Sequence, residues 1–339
     1  MIIDVRSDTF TKPTPAMLQA MMNTSVGDDV FGEDPTVNEL EQKVAALFGM
    51  ESALFCPSGT MTNQIAIKCH TEPGNEVICD KTSHVYIYEG GGIAFNSACQ
   101  VQALHGDRGR LNASQILAAI NPDDIHKPPT ALVSLENTAN RGGGSCYAWQ
   151  ELLQIKKVCT ENNLKLHLDG ARLWNALVAK QETPHQYGQL FDSISVCLSK
   201  GLGAPVGSLV LGKTDFIKKA RRIRKIFGGG MRQAGYLAAA GIYALDHHVE
   251  RLQIDHQHAL IIADALQQCK YVKNILPVET NIILFDTLDD FPAAKFVETL
   301  AKNGIKAMAL APQQVRFVTH LDISEEMVAK LVKILIEMQ

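Results

Sequence analysis

The chain has 339 residues, of which 46% are hydrophobic and 20% are charged, a balance typical of a globular protein with a large core and two lobes. Its formal net charge of −4 argues against nucleic acid or an anionic membrane as the main partner, because neither electrostatic footprint is present. The N-terminal residues include Asp4, Arg6 and Asp8, so they predict no signal peptide, and no apolar run reaches membrane-spanning length. We therefore expect a cytoplasmic protein.

The residues that most often bind metals do not form a metal motif in this sequence. The cysteines contain no C-x-x-C pair and lie mostly within apolar segments, so we predict buried free thiols rather than disulfides or zinc ligands. They are Cys56, Cys69, Cys79, Cys99, Cys146, Cys159, Cys197 and Cys269. Four histidines, at 247, 248, 256 and 258, are expected on an exposed helix without a strand-end carboxylate nearby. We predict no metal site.

Apolar runs of strand length alternate with helical patterns along most of the chain. Residues 37–49 place their apolar side chains on one helical face and end at Gly49, an expected C-cap, and residues 149–163 predict a second helix. The predicted strands are 53–56, 76–79, 130–136, 164–169 and 193–199. Short apolar runs between amphipathic helices indicate a mainly parallel sheet covered on both faces. The predicted fold class is therefore α/β.

The pattern changes at about residue 255. A long helical stretch leads to a strand at 281–285, a helix at 292–303, a strand at 315–320 and a terminal helix. This succession predicts a smaller α+β domain at the C-terminal end. We expect a large α/β domain over residues 1–254, including an N-terminal arm, and a small domain over residues 255–339.

Chemically active side chains follow the predicted strands, where ligands bind in a sheet of this kind. Gly59 and Thr60 follow the first predicted strand and precede a helix, so their N–H groups and the hydroxyl suit a phosphate. His84 and Asp169 follow or end two further strands, and Lys200 follows another. Each also has an ordinary interpretation, as a helix cap, a surface histidine, a structural ion pair or a lysine that reaches solvent.

Together these side chains match what pyridoxal 5'-phosphate (PLP) requires. Its aldehyde needs an amine, which Lys200 can supply once desolvation makes the neutral form accessible. Its ring nitrogen needs a carboxylate, here Asp169, that keeps it protonated so that the ring can accept an electron pair. Its phosphate needs donors such as those of Gly59 and Thr60, and its ring needs a flat surface such as His84. The sequence therefore predicts a PLP site.

Seven longer segments carry a resemblance to a known family. They are RSDTFTKPTPAM, GDDVFGEDPTVNELE, PSGTMTNQIA, SLENT, LHLDGARLWNA, CLSKGLGAPVGSLVLG and GGGMRQAGYLAAAGIYAL, in this order. From residue 4 to about residue 321 the chain resembles the low-specificity L-threonine aldolases, PLP-dependent enzymes of the aspartate-aminotransferase fold, fold type I. The resemblance implies retro-aldol cleavage of L-threonine, L-allo-threonine and related β-hydroxy-α-amino acids to glycine and an aldehyde, which is acetaldehyde from threonine. It also implies a homotetramer.

The resemblance assigns seven of the chain's residues to the cofactor, two of which, His84 and Arg172, would also act on the substrate. It implies that Lys200 of the LSKG segment attaches covalently to the cofactor, and that Asp169 of the DGAR segment pairs with the ring nitrogen. Gly59 and Thr60 would hold the phosphate. Arg232 of the GGGMRQ segment would reach the phosphate from a neighbouring subunit.

Substrate binding is assigned in the same way. Arg172 would contact the phenolic oxygen of the cofactor and help to bind the substrate carboxylate, together with Ser7 and Arg316. A guanidinium fork suits a carboxylate. His84 would stack on the cofactor ring near the substrate hydroxyl, and it would act on that hydroxyl directly or through water.

Two residues depart from the family pattern. Ala139 stands in ENTAN where the family commonly has ENTHN, and Phe31 stands in DVFGED where a tyrosine is common. The missing histidine leaves the substrate preference, the discrimination between threonine and allo-threonine, and the identity of the catalytic base open. Ala139 either frees volume beside the substrate or merely packs in a loop.

Other functions remain to be compared with this one. GLGAPVG, at residues 201–207, resembles a dinucleotide fingerprint, but its spacing differs and a strand-like segment follows it. The basic run at residues 218–225 has isoleucines at helical spacing, which favours a solvated or intersubunit helix over nucleic-acid binding. The open alternatives are another fold type I PLP lyase, of the β-eliminating or serine-hydroxymethyl-transferring type, and a non-catalytic PLP-binding protein.

Overall fold

The structure, a computed structural model, describes residues 2–338. Its strands are β1 (Ile3–Asp4), β2 (Ser52–Cys56), β3 (Glu76–Asp80), β4 (Gln100–Leu104), β5 (Thr130–Glu136), β6 (Lys165–Gly170), β7 (Ser193–Cys197), β8 (Ser208–Gly212), β9 (Val272–Ile275), β10 (Ile282–Thr287), β11 (Ile305–Lys306), β12 (Met308–Ala309) and β13 (Gln314–Val318). Short 3₁₀ helices cover Asp8–Phe10 and Asp29–Phe31.

The α-helices cover both faces of the main sheet and the C-terminal region. They are α1 (Pro15–Met22), α2 (Pro35–Phe48), α3 (Gly59–His70), α4 (His84–Ile87), α5 (Gly92–Ser97), α6 (Ala113–Ala119), α7 (Trp149–Glu161), α8 (Leu173–Lys180), α9 (Pro184–Leu190), α10 (Thr214–Ile226), α11 (Gly235–His247), α12 (Leu252–Gln267), α13 (Ala293–Lys302) and α14 (Glu325–Glu337). The predicted C-cap is confirmed, because Gly49 follows α2 with a φ of 60°.

The main sheet has the strand order β2-β8-β7-β6-β5-β3-β4 among the described residues. Only β8 runs against its neighbours in this part of the chain, since it pairs antiparallel with both β2 and β7. The remaining pairs are parallel. The predicted mainly parallel α/β sheet is confirmed, and the unpredicted β4 is an edge strand that lacks a continuous apolar run.

Strand β2 shows why short apolar runs predicted a sheet covered on both faces. Ala53 and Phe55 belong to the largest apolar core, whereas Leu54 and Cys56 pack with α3 and α10 in a separate cluster. Side chains alternate between the two faces of a strand, so a strand that is buried on both faces needs apolar residues at every position.

The C-terminal region forms a second sheet, with the antiparallel order β12-β13-β10-β9. Its core includes Ile3 and Val5 from the N-terminal arm. Helix α12 contributes Leu252 to the large core and Ile262 to the small one. The predicted boundary after residue 254 falls within this helix, so the two-domain division stays a prediction.

The cysteines in the described residues are all free, which agrees with the sequence prediction. Cys69 is partly exposed, and the other seven are buried. Within residues 2–338, no helix combines the length and the apolar character that are needed to cross a membrane.

The expected exposure of the C-terminal histidines is wrong for three of the four. His248, His256 and His258 are buried. His248 Nδ1 lies 2.7 Å from the carbonyl oxygen of Leu202, and His256 Nε2 lies 3.0 Å from Asn175 Oδ1. Burial lowers the pKa of His256 to about 4, so this ring of α12 packs against α8 in its neutral form.

Candidate active site

The carboxyl ends of β5, β6 and β7 bring the predicted site residues to one edge of the sheet. Glu136 ends β5 and is the register partner of Asp169 on β6. Lys200 follows the end of β7, which pairs with β6. Parallel neighbours end at the same edge, so residues that are far apart in sequence become neighbours in space.

Asp169 is buried, and hydrogen bonds fix both of its carboxylate oxygens. Asn63 Nδ2, from α3, donates to Oδ2 over 2.9 Å, and the backbone N–H of Ala171 donates to Oδ1 over 3.0 Å. The two donors hold the carboxylate in one orientation at the strand end. Asn63 was not predicted, although it lies one helical turn after Gly59 on the helix that the sequence had already placed at this edge.

His84 begins α4, and its ring is within hydrogen-bond distance of Glu89. The distance between His84 Nδ1 and Glu89 Oε1 is 2.9 Å, and the buried Glu89 also accepts hydrogen bonds from Asn63 Nδ2 and Gln64 Nε2. Burial alone would lower the pKa of His84, but the hydrogen bond that its ring donates to Glu89 and the charge of Asp169 outweigh it and raise that pKa. The ring stays about one-third exposed, at 32%, and His84, Glu89 and Asp169 place one ligand atom each within 4.8 Å of the others.

Lys200 is half-buried at the start of the loop after β7. Its carbonyl oxygen accepts hydrogen bonds from Thr11 Oγ1 over 2.9 Å and from the N–H of Gly203 over 2.8 Å. These bonds fix the backbone, whereas the Lys200 ammonium has no hydrogen bond or ion pair with any of residues 2–338. The side chain is therefore available as an amine at the end of the strand that pairs with the Asp169 strand β6.

Arg172 and Asp8 form a buried ion pair that closes the site from the side of the N-terminal arm. Arg172 Nε and Nη2 donate to the two oxygens of Asp8 over 2.8 and 2.7 Å. Burial would lower the pKa of Arg172, but the charge of Asp8 outweighs it and raises that pKa. The sequence assigned Arg172 to ligands and did not predict Asp8 as its partner. Nη1 is left free to bind a ligand, since it has no hydrogen-bond partner in the described chain.

Arg316, on β13, is a second buried guanidinium near Arg172. Nη1 donates to Asn140 Oδ1 over 2.7 Å, and Nη2 donates to the carbonyl oxygen of Arg6 over 3.1 Å. Nε is buried without a partner among the described residues, and no carboxylate there pairs with this arginine. Burial and the charge of Arg172 lower the pKa of Arg316 to about 10. The unmatched positive charge favours a bound carboxylate.

Ser7 lies between the two residues that anchor these arginines, Arg6 and Asp8. It is buried, and its Oγ accepts hydrogen bonds from the N–H and the hydroxyl of Thr9. A serine hydroxyl that accepts can still donate its own proton. The N-terminal arm thus contacts both arginines through the two neighbours of Ser7, Arg316 through Arg6 and Arg172 through Asp8.

Helix α3 begins at Gly59 and presents its N-terminus at the same edge. Ser58 caps the helix by accepting a hydrogen bond from the N–H of Met61 over 3.2 Å, which leaves the N–H groups of Gly59 and Thr60 without a partner in the described chain. A β-carbon at position 59 would lie 2.7 Å from Cys197 Sγ, so glycine is needed there. This arrangement suits a phosphate at a helix N-terminus.

Arg232 is not brought to this edge by contacts within its own chain. Its side chain is exposed, and Nη1 donates to Asp28 Oδ2 over 2.8 Å. Phe31 lies on the adjoining 3₁₀ turn with 73% of its surface exposed.

Ala139 is buried in the loop that follows β5. Its N–H donates to the carbonyl oxygen of Ser145 over 3.0 Å, and a β-carbon added at Gly109 would lie 2.9 Å from its methyl group. The Ala139 methyl group therefore contacts a loop backbone on at least one side, which favours the packing alternative.

Comparison with known proteins identifies the family. The model of the beta-eliminating lyases matches residues 4–289. The chain belongs to this family. It is 44% identical over 331 residues to a protein of Escherichia coli K12 named low specificity L-threonine aldolase, with 97% of each chain covered. It is 42% identical to a probable low-specificity L-threonine aldolase 2 of Arabidopsis thaliana, covering 95% of this chain and 93% of the relative. Within the family, the chain belongs with the low-specificity L-threonine aldolases.

Solved structures agree on the fold. A threonine aldolase from Leishmania major superposes with a TM-score of 0.87 at 22% identity, covering 99% of each chain. A putative L-allo-threonine aldolase from Listeria monocytogenes gives a TM-score of 0.79 at 23% identity, covering 96% of this chain and 94% of the other. The fold type I class that the resemblance implied is confirmed.

Proposed function

We propose that the chain is a PLP-dependent aldehyde-lyase that cleaves L-threonine, L-allo-threonine and related β-hydroxy-α-amino acids to glycine and an aldehyde, acetaldehyde in the case of threonine. The observation that carries this proposal is the state of Lys200. Its ammonium forms no hydrogen bond or ion pair in the described chain, and Lys200 follows β7, the strand that pairs with the Asp169 strand β6. The relatives that are named L-threonine aldolases, at 42 to 44% identity, support the reaction type.

The donors and acceptors at the site fit PLP. Lys200 would attach covalently to it, Asp169 would pair with its ring nitrogen, and the free N–H groups of Gly59 and Thr60 would bind its phosphate. The His84 ring would stack on its face. When bound, the cofactor supplies an electron sink for the electron pair that is released as the Cα–Cβ bond breaks.

The two buried arginines would orient the substrate. Arg316 Nε has no partner and Arg172 Nη1 is free, so both can donate to the substrate carboxylate together with the Ser7 hydroxyl. Arg172 is in turn held by Asp8, which keeps its guanidinium in one orientation. A carboxylate bound in this way limits rotation about Cα, so that the Cα–Cβ bond is presented for cleavage.

His84 would take the proton of the β-hydroxyl. Its Nδ1 contacts Glu89, which leaves Nε2 to face the substrate, directly or through a water molecule. The contact with Glu89 also raises the pKa of His84 and so increases its ability to accept a proton. The contact with Glu89 and the raised pKa support His84 as the general base.

We further propose that the protein is a cytoplasmic homotetramer. Arg232 contacts no site residue of its own chain and is exposed beside Phe31, which supports a role at the phosphate of a neighbouring subunit. The free cysteines support a reducing compartment.

The decisive experiment is an assay of the purified protein. We expect a visible absorption band that borohydride bleaches, and release of acetaldehyde and glycine from L-threonine with no folate and no keto acid added. A protein that holds the cofactor but releases no aldehyde would disprove the proposed reaction.

A second candidate function is β-elimination, because the matched family model is that of the beta-eliminating lyases. Release of pyruvate from serine, with no aldehyde from threonine, would favour it. A requirement for folate would favour hydroxymethyl transfer, and a stable cofactor band without any turnover would favour a non-catalytic PLP-binding protein.

A further inference from the structure

Glu136 is a buried carboxylate at the centre of the site to which the proposed function gives no role. It is the last residue of β5 and is only 6% exposed. Oε2 accepts a hydrogen bond from the backbone N–H of His84 over 2.7 Å, and Oε1 accepts one from the backbone N–H of Asn140 over 2.8 Å. One side chain thus holds the backbones of two separate segments.

Each of these segments is connected to a group that the proposed function places on a ligand. The first segment carries the His84 ring, which would stack on the cofactor. The Asn140 side chain accepts a hydrogen bond from Arg316 Nη1 over 2.7 Å. Glu136 therefore stands between the proposed cofactor-stacking ring and the proposed carboxylate-binding guanidinium, linked to each through one or two hydrogen bonds.

The surroundings of Glu136 disfavour the ionised form of its carboxyl group. Burial raises its pKa, and the charge of Asp169, its register partner, raises it further, whereas His84 lowers it. No lysine or arginine forms an ion pair with Glu136 in the described chain. Burying a carboxylate that forms no ion pair is unfavourable, and its two hydrogen bonds to separate backbone segments point to a positioning role.

We infer that Glu136 is a positioning residue that couples, through Asn140, the placement of His84 to the placement of Arg316. The inference rests on the proposed function, since it takes these two residues as the groups that bind cofactor and substrate. The coupling predicts that substitution of Glu136 weakens the binding of both cofactor and substrate. Substitution of Asn140 should weaken only the binding of the substrate carboxylate.

The first variant is Asn140→Ala, which removes the hydrogen bond to Arg316 and keeps the backbone N–H that Glu136 binds. We expect the dissociation constant of glycine, read from the cofactor absorbance, and the KM for L-threonine to rise about tenfold, the usual effect of losing one hydrogen bond to a charged group. We expect kcat to stay within about twofold of wild type, because only substrate binding is weakened. The dissociation constant of PLP should not change.

The second variant is Glu136→Gln, which places an amide donor against one of the two backbone N–H groups. We expect the dissociation constants of glycine and of PLP both to rise. The double variant should bind glycine no more weakly than the worse single variant, because both substitutions break the same chain of contacts. Glu136→Asp, whose shorter side chain cannot span both N–H groups, is expected to give the same losses and replaces Glu136→Gln if that variant does not fold.

Glu76→Gln is the matched control. Glu76 is also a buried glutamate that accepts hydrogen bonds on both oxygens, from Asn121 Nδ2 and Thr130 Oγ1 on one and from Gln100 Nε2 on the other, but it begins β3 at the opposite edge of the sheet. We expect both dissociation constants to stay at the wild-type value in this variant, even if its melting temperature falls.

The outcomes separate the inference from the proposed function. An unchanged glycine dissociation constant in Asn140→Ala would overturn the coupling. So would a double variant whose fold-increase in the glycine dissociation constant equals the product of the two single increases. If the wild type binds glycine but releases no aldehyde from threonine, the proposed reaction is wrong and the titrations still decide the coupling. A wild type that binds no glycine would overturn both.

Discussion

Arg172 and Asp8 lie 164 residues apart in the sequence and form a bidentate ion pair in the interior of the site. Asp8 belongs to the N-terminal arm and Arg172 to the segment after β6, so this contact ties the arm to the carboxyl edge of the sheet. Burial alone would raise the pKa of Asp8, but the charges of Arg172 and Lys200 outweigh it and hold that pKa well below its usual value.

Asp8→Asn should destabilise the protein by about 3 kcal/mol at pH 7, because it leaves the buried Arg172 without a counter-charge. A depressed carboxyl pKa adds stability above the unfolded-state value of about 3.9, and this stability is lost as the pH falls towards the folded-state pKa. The difference in unfolding free energy between variant and wild type should therefore begin to narrow as the pH falls below about 5, and it should go on narrowing as the pH approaches the folded-state pKa. Urea unfolding followed by tryptophan fluorescence measures this difference in the free energy of unfolding. The control is Asp264→Asn, which replaces an exposed carboxylate on α12. A difference that is constant with pH would contradict the ion-pair argument.

Lys200→Ala should abolish the borohydride-sensitive absorption band and lower kcat at least about 1000-fold, because the amine that attaches the cofactor is lost. Lys157→Ala removes an exposed lysine on α7 and should leave both the band and kcat unchanged. Normal threonine cleavage by Lys200→Ala would refute the assignment of Lys200 and with it the proposed chemistry.

Glu89→Gln should lower the pKa of His84, because it removes the carboxylate whose hydrogen bond and charge help to raise that pKa. A general base acts in its deprotonated form, so a lower pKa extends activity to more acidic conditions. We expect the acid limb of kcat/KM against pH to move to lower pH, with no such movement in Glu161→Gln, an exposed carboxylate on α7. An acid limb that stays in place would mean that His84 is not the group that titrates there.

Arg232→Ala should weaken cofactor binding if this arginine acts in the site of a neighbouring subunit. The sharp test mixes subunits of Arg232→Ala with those of Lys200→Ala at limiting PLP. Hybrid assemblies would contain some sites with neither defect, so activity should exceed that of either variant alone. Arg222→Ala, an exposed arginine on α10, is the control. A fully active monomer in light scattering, or mixing without any gain, would rule out the shared site.

Ala139→His should change the ratios of kcat/KM among L-threonine, L-allo-threonine and phenylserine without changing the dissociation constant of PLP. A single added hydrogen bond to the β-hydroxyl is worth about 0.5 to 1.5 kcal/mol, so we expect the ratios to shift a few-fold to about tenfold. If all three ratios stay constant, Ala139 only packs against the Gly109 loop.

The strand-end residues were predictable because they depend on local patterns. Continuous apolar runs identified β2, β3, β5, β6 and β7, and in a parallel sheet each such run ends at the ligand edge. The residues that follow these runs, Gly59, His84, Asp169 and Lys200, therefore stood out without any tertiary information. The longer motifs then indicated the family, and the comparisons confirmed it.

The partners of those residues were decided by the tertiary structure. Asn63, Glu89 and Asp8 contact site residues through pairings that no periodicity encodes, since Asn63 and Asp169 lie 106 residues apart. The same holds for Glu136, whose carboxylate meets one N–H 52 residues before it. The three buried histidines were misjudged because their polar side chains suggested an exposed face, whereas tertiary packing buries them, as where His256 of α12 meets Asn175 of α8. Local sequence sets which groups stand at strand and helix ends, but hydrogen-bond partners depend on how those ends meet in space, and the free energy that selects them is distributed over the whole packed core.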